Sequence, residues 1–218
     1  MGFGDYLQLP SVSFGSLTSS NFSLSNGGLV RLDTTSDEVL NGNADDYFDI
    51  REGGSDMVNA GSGSNRIYAG SALSSGDVVT GGADFDLLVL SGNYASVVTL
   101  GATTVTGVET ILVEAGSAIR LTLDAATISA PTGFGIDASA QLSGDLLYVD
   151  ASAAVQQFSA IARAGDDTLI GGSIENYLEG RDGDDYLVGG DGYSQVEGLG
   201  EVYRDAPGFR SLLDHDCI

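Results

Sequence analysis

The sequence predicts an all-β protein built as a parallel β-roll or β-solenoid, and three observations carry that expectation. Between Ala162 and Glu197 the chain divides without insertion into four nine-residue frames, ARAGDDTLI, GGSIENYLE, GRDGDDYLV and GGDGYSQVE. Each frame has an aliphatic residue in its eighth position, Leu169, Leu178, Leu187 and Val196. Fixed-period self-similarity of this kind marks one small unit stacked on itself. The composition agrees: 32 glycines, 3 prolines, no tryptophan and 42% hydrophobic content in 218 residues describe a turn-rich β protein rather than a helical one.

Residues 1–40 are expected to form an N-terminal β cap, since solenoids need a distinct unit at an open end. Within it Asn21–Ser25 and Leu29–Asp33 alternate apolar and polar residues, the pattern of half-buried strands. Residues 41–89 form a first, looser array: NGNADDYFD, REGGSDMVN, AGSGSNRIY, a stretched frame ending SGDVVT, and GGADFDLLV. Its sixth-column residues are Asp46, Asp56, Asn65, Asp77 and Asp86, each followed two residues later by Phe48, Val58, Ile67, Val79 and Leu88. The column spacings of ten, nine, twelve and nine predict bulges or longer turns for the added residues and a break in strict stacking before Asp77.

Residues 90–161 are a β-rich middle region with strand-like runs at Ser96–Leu100, Glu109–Val113 and Ile119–Leu123. Leu123-Asp124, Ile136-Asp137 and Val149-Asp150 recur every thirteen residues, which places the three aspartates in register. Two arrangements are open for this region: further coils of one solenoid, or a small β-sandwich between two arrays. The second array, 162–197, follows directly. The tail, 198–218, has no period, and His215 and Cys217 in it read as stray residues of a terminus rather than as transition-metal ligands.

The sixth column of the second array holds Asp167, Asn176, Asp185 and Ser194. Glycines early in each frame let the backbone take positive φ and bring carbonyl oxygens inward. A carboxylate placed beside such oxygens adds charge to the ring, and hard Ca²⁺ takes six to eight oxygen ligands of this sort. Because nine residues make half a coil, frames two apart share a side. Asp167 with Asp185 is therefore the best pair to bridge an ion, while Asn176 with Ser194 has lost both charges.

A glycine-rich turn, then a carboxylate or amide, then an aliphatic residue two positions on, G-G-x-G-x-D-x-U-x, resembles the RTX (repeats-in-toxin, hemolysin-type) calcium-binding family. The resemblance implies Ca²⁺ as the ligand, bound by Asp167, Asp185 and Asn176 with the turn glycines Gly165 and Gly183, and in the first array by Asp46, Asp56, Asn65, Asp77 and Asp86. It further implies a secreted bacterial protein that folds on binding calcium outside the cell, with type I secretion machinery as a partner. Asp84 at a glycine position, Arg181 at another and Ser194 in the sixth column depart from the pattern and bear on the number and affinity of ions.

Thirty-one acidic residues against eight arginines and no lysine give a net charge of −23, which argues against nucleic-acid and anionic-membrane partners. A single cysteine excludes an internal disulfide framework. No charged start followed by an apolar run suggests a leader peptide, and no apolar run is long enough for a membrane span. One histidine cannot build H-E-x-x-H or a Ser-His-Asp set, G-x-S-x-G is absent, and a P-loop needs lysine, so the expectation is no enzyme. Two alternatives stay open. One is a surface adhesin or carbohydrate-binding fragment with structural calcium. The other is a polysaccharide-active enzyme using paired carboxylates such as Asp124, Asp137 and Asp150, whose plain reading is as turn residues bonding their own backbone.

Overall fold

The structure, a computed structural model, describes residues 27–94, 96–124, 133–191, 194–198 and 202–204. The strand expected at 21–25 and the tail residues His215 and Cys217 lie outside the described residues. Nineteen short strands and no helix are found among those described. The first array and its approach give β1 (Val30–Leu32), β2 (Val39–Asn41), β3 (Tyr47–Asp49), β4 (Met57–Gly61), β5 (Arg66–Gly70), β6 (Val78–Gly82) and β7 (Leu87–Leu90). The middle region gives β8 (Val98–Leu100), β9 (Val105–Thr106), β10 (Thr110–Val113), β11 (Ala118–Leu123), β12 (Phe134–Asp137), β13 (Leu146–Asp150) and β14 (Phe158–Ile161). The second array gives β15 (Thr168–Ile170), β16 (Asn176–Glu179), β17 (Tyr186–Val188) and β18 (Ser194–Glu197), with β19 (Val202–Arg204) last.

Every strand pairing is parallel, as a chain that coils in one direction requires. One side is a nine-stranded sheet, β1-β3-β5-β7-β10-β12-β14-β16-β18. The facing strands form two sheets, β2-β4-β6-β9 and β8-β11-β13-β15-β17-β19. Because β10 pairs with β7 and β14 pairs with β16, the middle region continues the solenoid from array to array, and the sandwich alternative falls.

Register partners on the nine-stranded sheet measure each coil. It lengthens from 17 residues (Val30 to Tyr47) through 19 (to Arg66), 21 (to Leu87) and 23 (to Thr110) to 25 (to Gly135). It then falls through 24 (to Ser159) to 18 at Tyr177 and 18 again at Gln195. The 23-residue coil carries two facing strands, β8 and β9, one in each of the other sheets, so the second side is handed over there.

Two expectations are corrected by these lengths. The thirteen-residue recurrence is half a middle coil, so Asp137 lies on the nine-stranded sheet and Asp124 and Asp150 on the facing side. There Thr122, not Asp124, is the partner of Asp150, because the facing coil is 28 residues long (Thr122 to Asp150). The inserted residues before Asp77 do not break the stack: Asp56 still donates its N–H to Asp77 Oδ1 at 2.9 Å, while Leu73 of the added turn tucks inward with 3% exposure.

Inward positions alternate with outward ones along the strands, and in β11 the burial alternates at every residue. Phe48, Ile67, Leu88, Ile111, Ile136, Ala160, Leu178 and Val196 stand in one register line, all buried. Leu121, Val149, Leu169 and Leu187 form a facing line. In the widest coils Phe134 and Phe158 stack across adjacent strands, with ring centroids 6.3 Å apart. Phe158→Ala is expected to cost about 3–5 kcal/mol because its cavity cannot collapse between two strands. Val39→Ala, at a position 62% exposed, should stay within about 0.5 kcal/mol. Thermal unfolding of the two variants in one buffer checks this; equal losses would contradict the packing described.

Candidate metal centre

The turn ahead of each strand ends in one inward slot, and the register lines show what fills it. One residue before the line Tyr47–Arg66–Leu87–Thr110–Gly135–Ser159–Tyr177–Gln195, the slot holds Asp46, Asn65, Asp86, Glu109, Phe134, Phe158, Asn176 and Ser194 in turn. On the facing side Asp56 and Asp77 precede β4 and β6, and Leu147, Asp167 and Asp185 share another line. Every sixth-column residue expected as a ligand, Asp46, Asp56, Asn65, Asp77, Asp86, Asp167, Asn176 and Asp185, is buried, with 0–3% exposure. Glu109 and the two phenylalanines were not anticipated in this column. Glu109 carried a signal, a glycine two residues before it and Ile111 two after, but at a spacing of 23 from Asp86 it matches no nine-residue frame.

Glycine shapes the turns. Gly165 and Gly183 have φ of +114° and +142°. A Cβ at Gly183 would overlap the Gly165 carbonyl oxygen, and one at Gly165 would overlap the carbonyl of Asp145. Carbonyl oxygens thus stack over glycine α-carbons from coil to coil, a spacing that alanine would close.

One oxygen of Asn65 and of each slot carboxylate joins its coil to the one before. Asp46 N–H donates to Asn65 Oδ1, Asn65 N–H to Asp86 Oδ1 and Asp86 N–H to Glu109 Oε2, at 2.8–2.9 Å. On the facing side Glu38 N–H donates to Asp56 Oδ1, Leu147 N–H to Asp167 Oδ1 and Asp167 N–H to Asp185 Oδ1. Gln141, buried and not anticipated, closes the start of that row. Its Nε2 donates to Asp167 Oδ1 at 3.4 Å and its Oε1 accepts the Arg163 N–H at 3.2 Å.

The second oxygen sorts the carboxylates into two kinds. Asp46 Oδ2 accepts the N–H groups of Asn43 and Ala44, and Asp77 Oδ2 accepts the N–H and hydroxyl of Ser74, so both are turn caps. Asp86, Asp167 and Asp185 each keep a buried Oδ2 with no hydrogen-bond partner. Buried carboxylate oxygens of this kind need a proton or a cation. Among the described residues no three acidic or other metal-binding side chains converge, so a bound ion would draw most of its oxygens from turn carbonyls. That donor set is hard and suits Ca²⁺.

Asn176 answers its turn differently. Its amide nitrogen donates to the carbonyls of Ile174 and Gly189 at 2.7 Å and lies 3.1 Å from the Gly172 carbonyl and the Ser194 hydroxyl. Its Oδ1 accepts the Gly172 N–H at 3.0 Å. Amide hydrogens therefore point at carbonyls that a cation would otherwise collect. Elsewhere, Asp137 and Asp150 each accept the N–H of the residue two positions on, which is turn capping.

Burial raises the pKa of Asp86, Asp167 and Asp185, and the charge of Asp185 adds to the effect at Asp167, which is pushed up to about 7. Asp33, raised by burial and by the charge of Asp56, also reaches about 7. A carboxyl whose pKa is higher folded than unfolded gives stability that is full below about pH 4 and lost as pH rises through about 7. Without calcium, the unfolding midpoint is expected to be higher at pH 5 than at pH 8. Saturating calcium should narrow or reverse that order, since the ion replaces the proton. Calorimetry in chelator and in calcium checks both; an ion-free midpoint that rose from pH 5 to pH 8 would contradict the assignment.

No helix among the described residues is long and apolar enough to cross a membrane. Neither a curated protein nor a solved structure matches the chain. A family model of the RTX calcium-binding nonapeptide repeat matches it at residues 52–88 and 161–196, with four copies. Those two stretches contain Asp86, Asp167 and Asp185, so the chain carries the RTX calcium-binding nonapeptide repeat in two regions of its β-solenoid.

Proposed function

We propose that this calcium-binding module is also a folding switch of an exported protein, with ions held at the Asp167/Asp185 edge and at Asp86. The observation that supports it is the set of buried Oδ2 atoms of Asp86, Asp167 and Asp185 without a partner. Three ionised carboxylates cannot stay buried and unpaired at neutral pH, because desolvation costs several kcal/mol per ion. Bound calcium supplies a compact double positive charge there. The chain's own part is to present carboxylate and turn carbonyl oxygens, to stack the turns through Gly165 and Gly183, and to exclude competing N–H donors from Oδ2. Asp46 and Asp77, with both oxygens engaged, act as turn caps in this reading, and the amide of Asn176 takes the place of an ion. Asp56 and Asn65 tie coil to coil through Oδ1.

Ions that bind the folded coil and not the unfolded chain stabilise it by RT ln(1 + [L]/Kd) for each site. With a Kd of about 10⁻⁴ M, as in extracellular modules, calcium at about ten times Kd contributes about 1.4 kcal/mol per site. Sites this weak stay empty inside a cell and fill outside. The chain would then travel unfolded through type I secretion machinery and fold as a secreted, extracellular module. A second reading is a surface adhesin or carbohydrate-binding fragment with structural calcium. It is favoured by a groove of about 370 Å³ on the nine-stranded side, where Phe85 and Tyr177 stand on either side of Gly135 and Ser159. Retention on a glycan column would support that reading.

Circular dichroism during a calcium titration tests the switch. Strand content should rise steeply between chelator and 10 mM calcium (roughly the upper range for weak sites); full strand content in chelator, unchanged by calcium, would refute it. For the residues, Asp167→Ala with Asp185→Ala should remove at least one ion by titration calorimetry. Asn176→Ala with Ser194→Ala should lower stability and leave the ion count unchanged. Equal loss of calcium from both double variants would contradict the two-sided assignment.

A further inference from the structure

The family match in the first array ends at residue 88, yet the slot line continues into the next coil, where it meets Glu109. Glu109 is a ladder member by geometry: its Oε2 accepts the Asp86 N–H at 2.8 Å, as Asp86 Oδ1 accepts the Asn65 N–H at 2.9 Å. Its side chain is one methylene longer than that of Asp86, in a coil that has grown to 23 residues (Leu87 to Thr110). One coil further on, the slot is closed by Phe134.

The second carboxylate oxygen of Asp86 faces the turns of its own coil and the next. Asp86 is fully buried, and its Oδ2 has no hydrogen-bond partner. A Cβ at Gly81 would overlap both the Gly107 carbonyl oxygen and, at 2.6 Å, Asp86 Oδ2. Those two oxygens therefore converge on one glycine α-carbon, and Gly81 leaves the room between them open. Gly107, with φ of +60°, turns the chain so that its carbonyl reaches this point. Among the described residues, neither Asp86 nor Glu109 is ion-paired with an arginine. Glu109 is half-buried and lines the groove on the nine-stranded side, which gives an ion a way in from solvent.

From this placement we infer that Glu109 and the Gly107 carbonyl, both outside the nonapeptide repeats, complete the calcium site at Asp86 and carry the ion row of the first array across to the next coil. The inference rests on the reading of Asp86 as an ion ligand and adds a carboxylate from the middle region, which ties that region's first coil to calcium. Two carboxylates and a carbonyl are hard donors, and water completes the shell.

The test counts calcium ions per chain, with calcium as the probe, by equilibrium dialysis and titration calorimetry on the full chain and on Glu109→Gln. The glutamine keeps an acceptor for the Asp86 N–H while removing the charge. Glu109→Gln is expected to lose one ion, or to weaken one class of site at least tenfold, and to keep the other classes. Glu114→Gln, whose carboxylate accepts from the Tyr68 hydroxyl instead, should bind as the wild type does. If Glu109→Gln does not fold, Glu109→Asp, which keeps the charge but draws it back by a methylene, should weaken the same class. Wild-type calcium binding with no change in number or affinity in the Glu109 variants overturns this site alone. A wild-type chain that binds no calcium overturns it together with the proposed function.

Discussion

Each coil must turn through glycine-rich corners and drop one side chain into the inward slot ahead of the next strand. The slot lies under a stack of backbone carbonyl oxygens and beside the N–H of the neighbouring coil, so its occupant has to answer both. A carboxylate gives one oxygen to the N–H and leaves the other with the carbonyls, an all-oxygen nest that is stable only around a cation or a proton. Asp86, Asp167 and Asp185 are in that position. Asn176 meets the same carbonyls with amide hydrogens, and Phe134 and Phe158 fill the slot with rings. The solenoid thus has three ways of closing a corner, chosen residue by residue along one register line.

Charge makes the choice consequential. With a net charge of −23, the chain repels itself, and among the described residues only Arg51–Asp49 and Arg181–Glu179 form ion pairs. Both arginines are over a third exposed, at 46% and 39%, and pairs of that kind contribute at most about 1 kcal/mol. Neutralisation has to come from solution, as protons or divalent ions, and the buried carboxylates are where it takes effect on folding.

The parallel solenoid and the slot residues of both arrays were legible in the sequence because a strict half-coil length writes each slot into a column. That column is legible only while the coil length is constant. Once the coil reaches 23 residues, Glu109 leaves the frame although its place in the ladder is unchanged. The thirteen-residue recurrence at Asp124, Asp137 and Asp150 had the opposite fault: it was visible in the sequence, but unequal coils on the two sides put its members on different sheets and out of register. Sequence spacing also could not separate Asp77 from Asp86. Both precede a strand and an aliphatic residue, and the difference lies in whether a nearby serine, Ser74, reaches back to take the second oxygen.

Coil length also bears on why two of the three carboxylates without partners, Asp167 and Asp185, sit in the second array. A half-coil of the second array brings one aliphatic side chain to the core, Leu169, Leu178 or Leu187, for nine residues ordered. The apolar area that one side chain buries is small against the backbone entropy lost in ordering its half-coil. The longer middle coils bring far more apolar mass inward, with Leu100, Val105, Val108, Ile111, Val113, Ile119, Leu121, Leu123, Phe134 and Phe158 all buried within two to three coils. Short coils therefore depend on what their corners bind, and long coils depend on what their interiors bury. The middle region is then the part of the solenoid that needs ions least, and it offers each array a preformed sheet edge on which to coil: β10 for the first and β14 for the second.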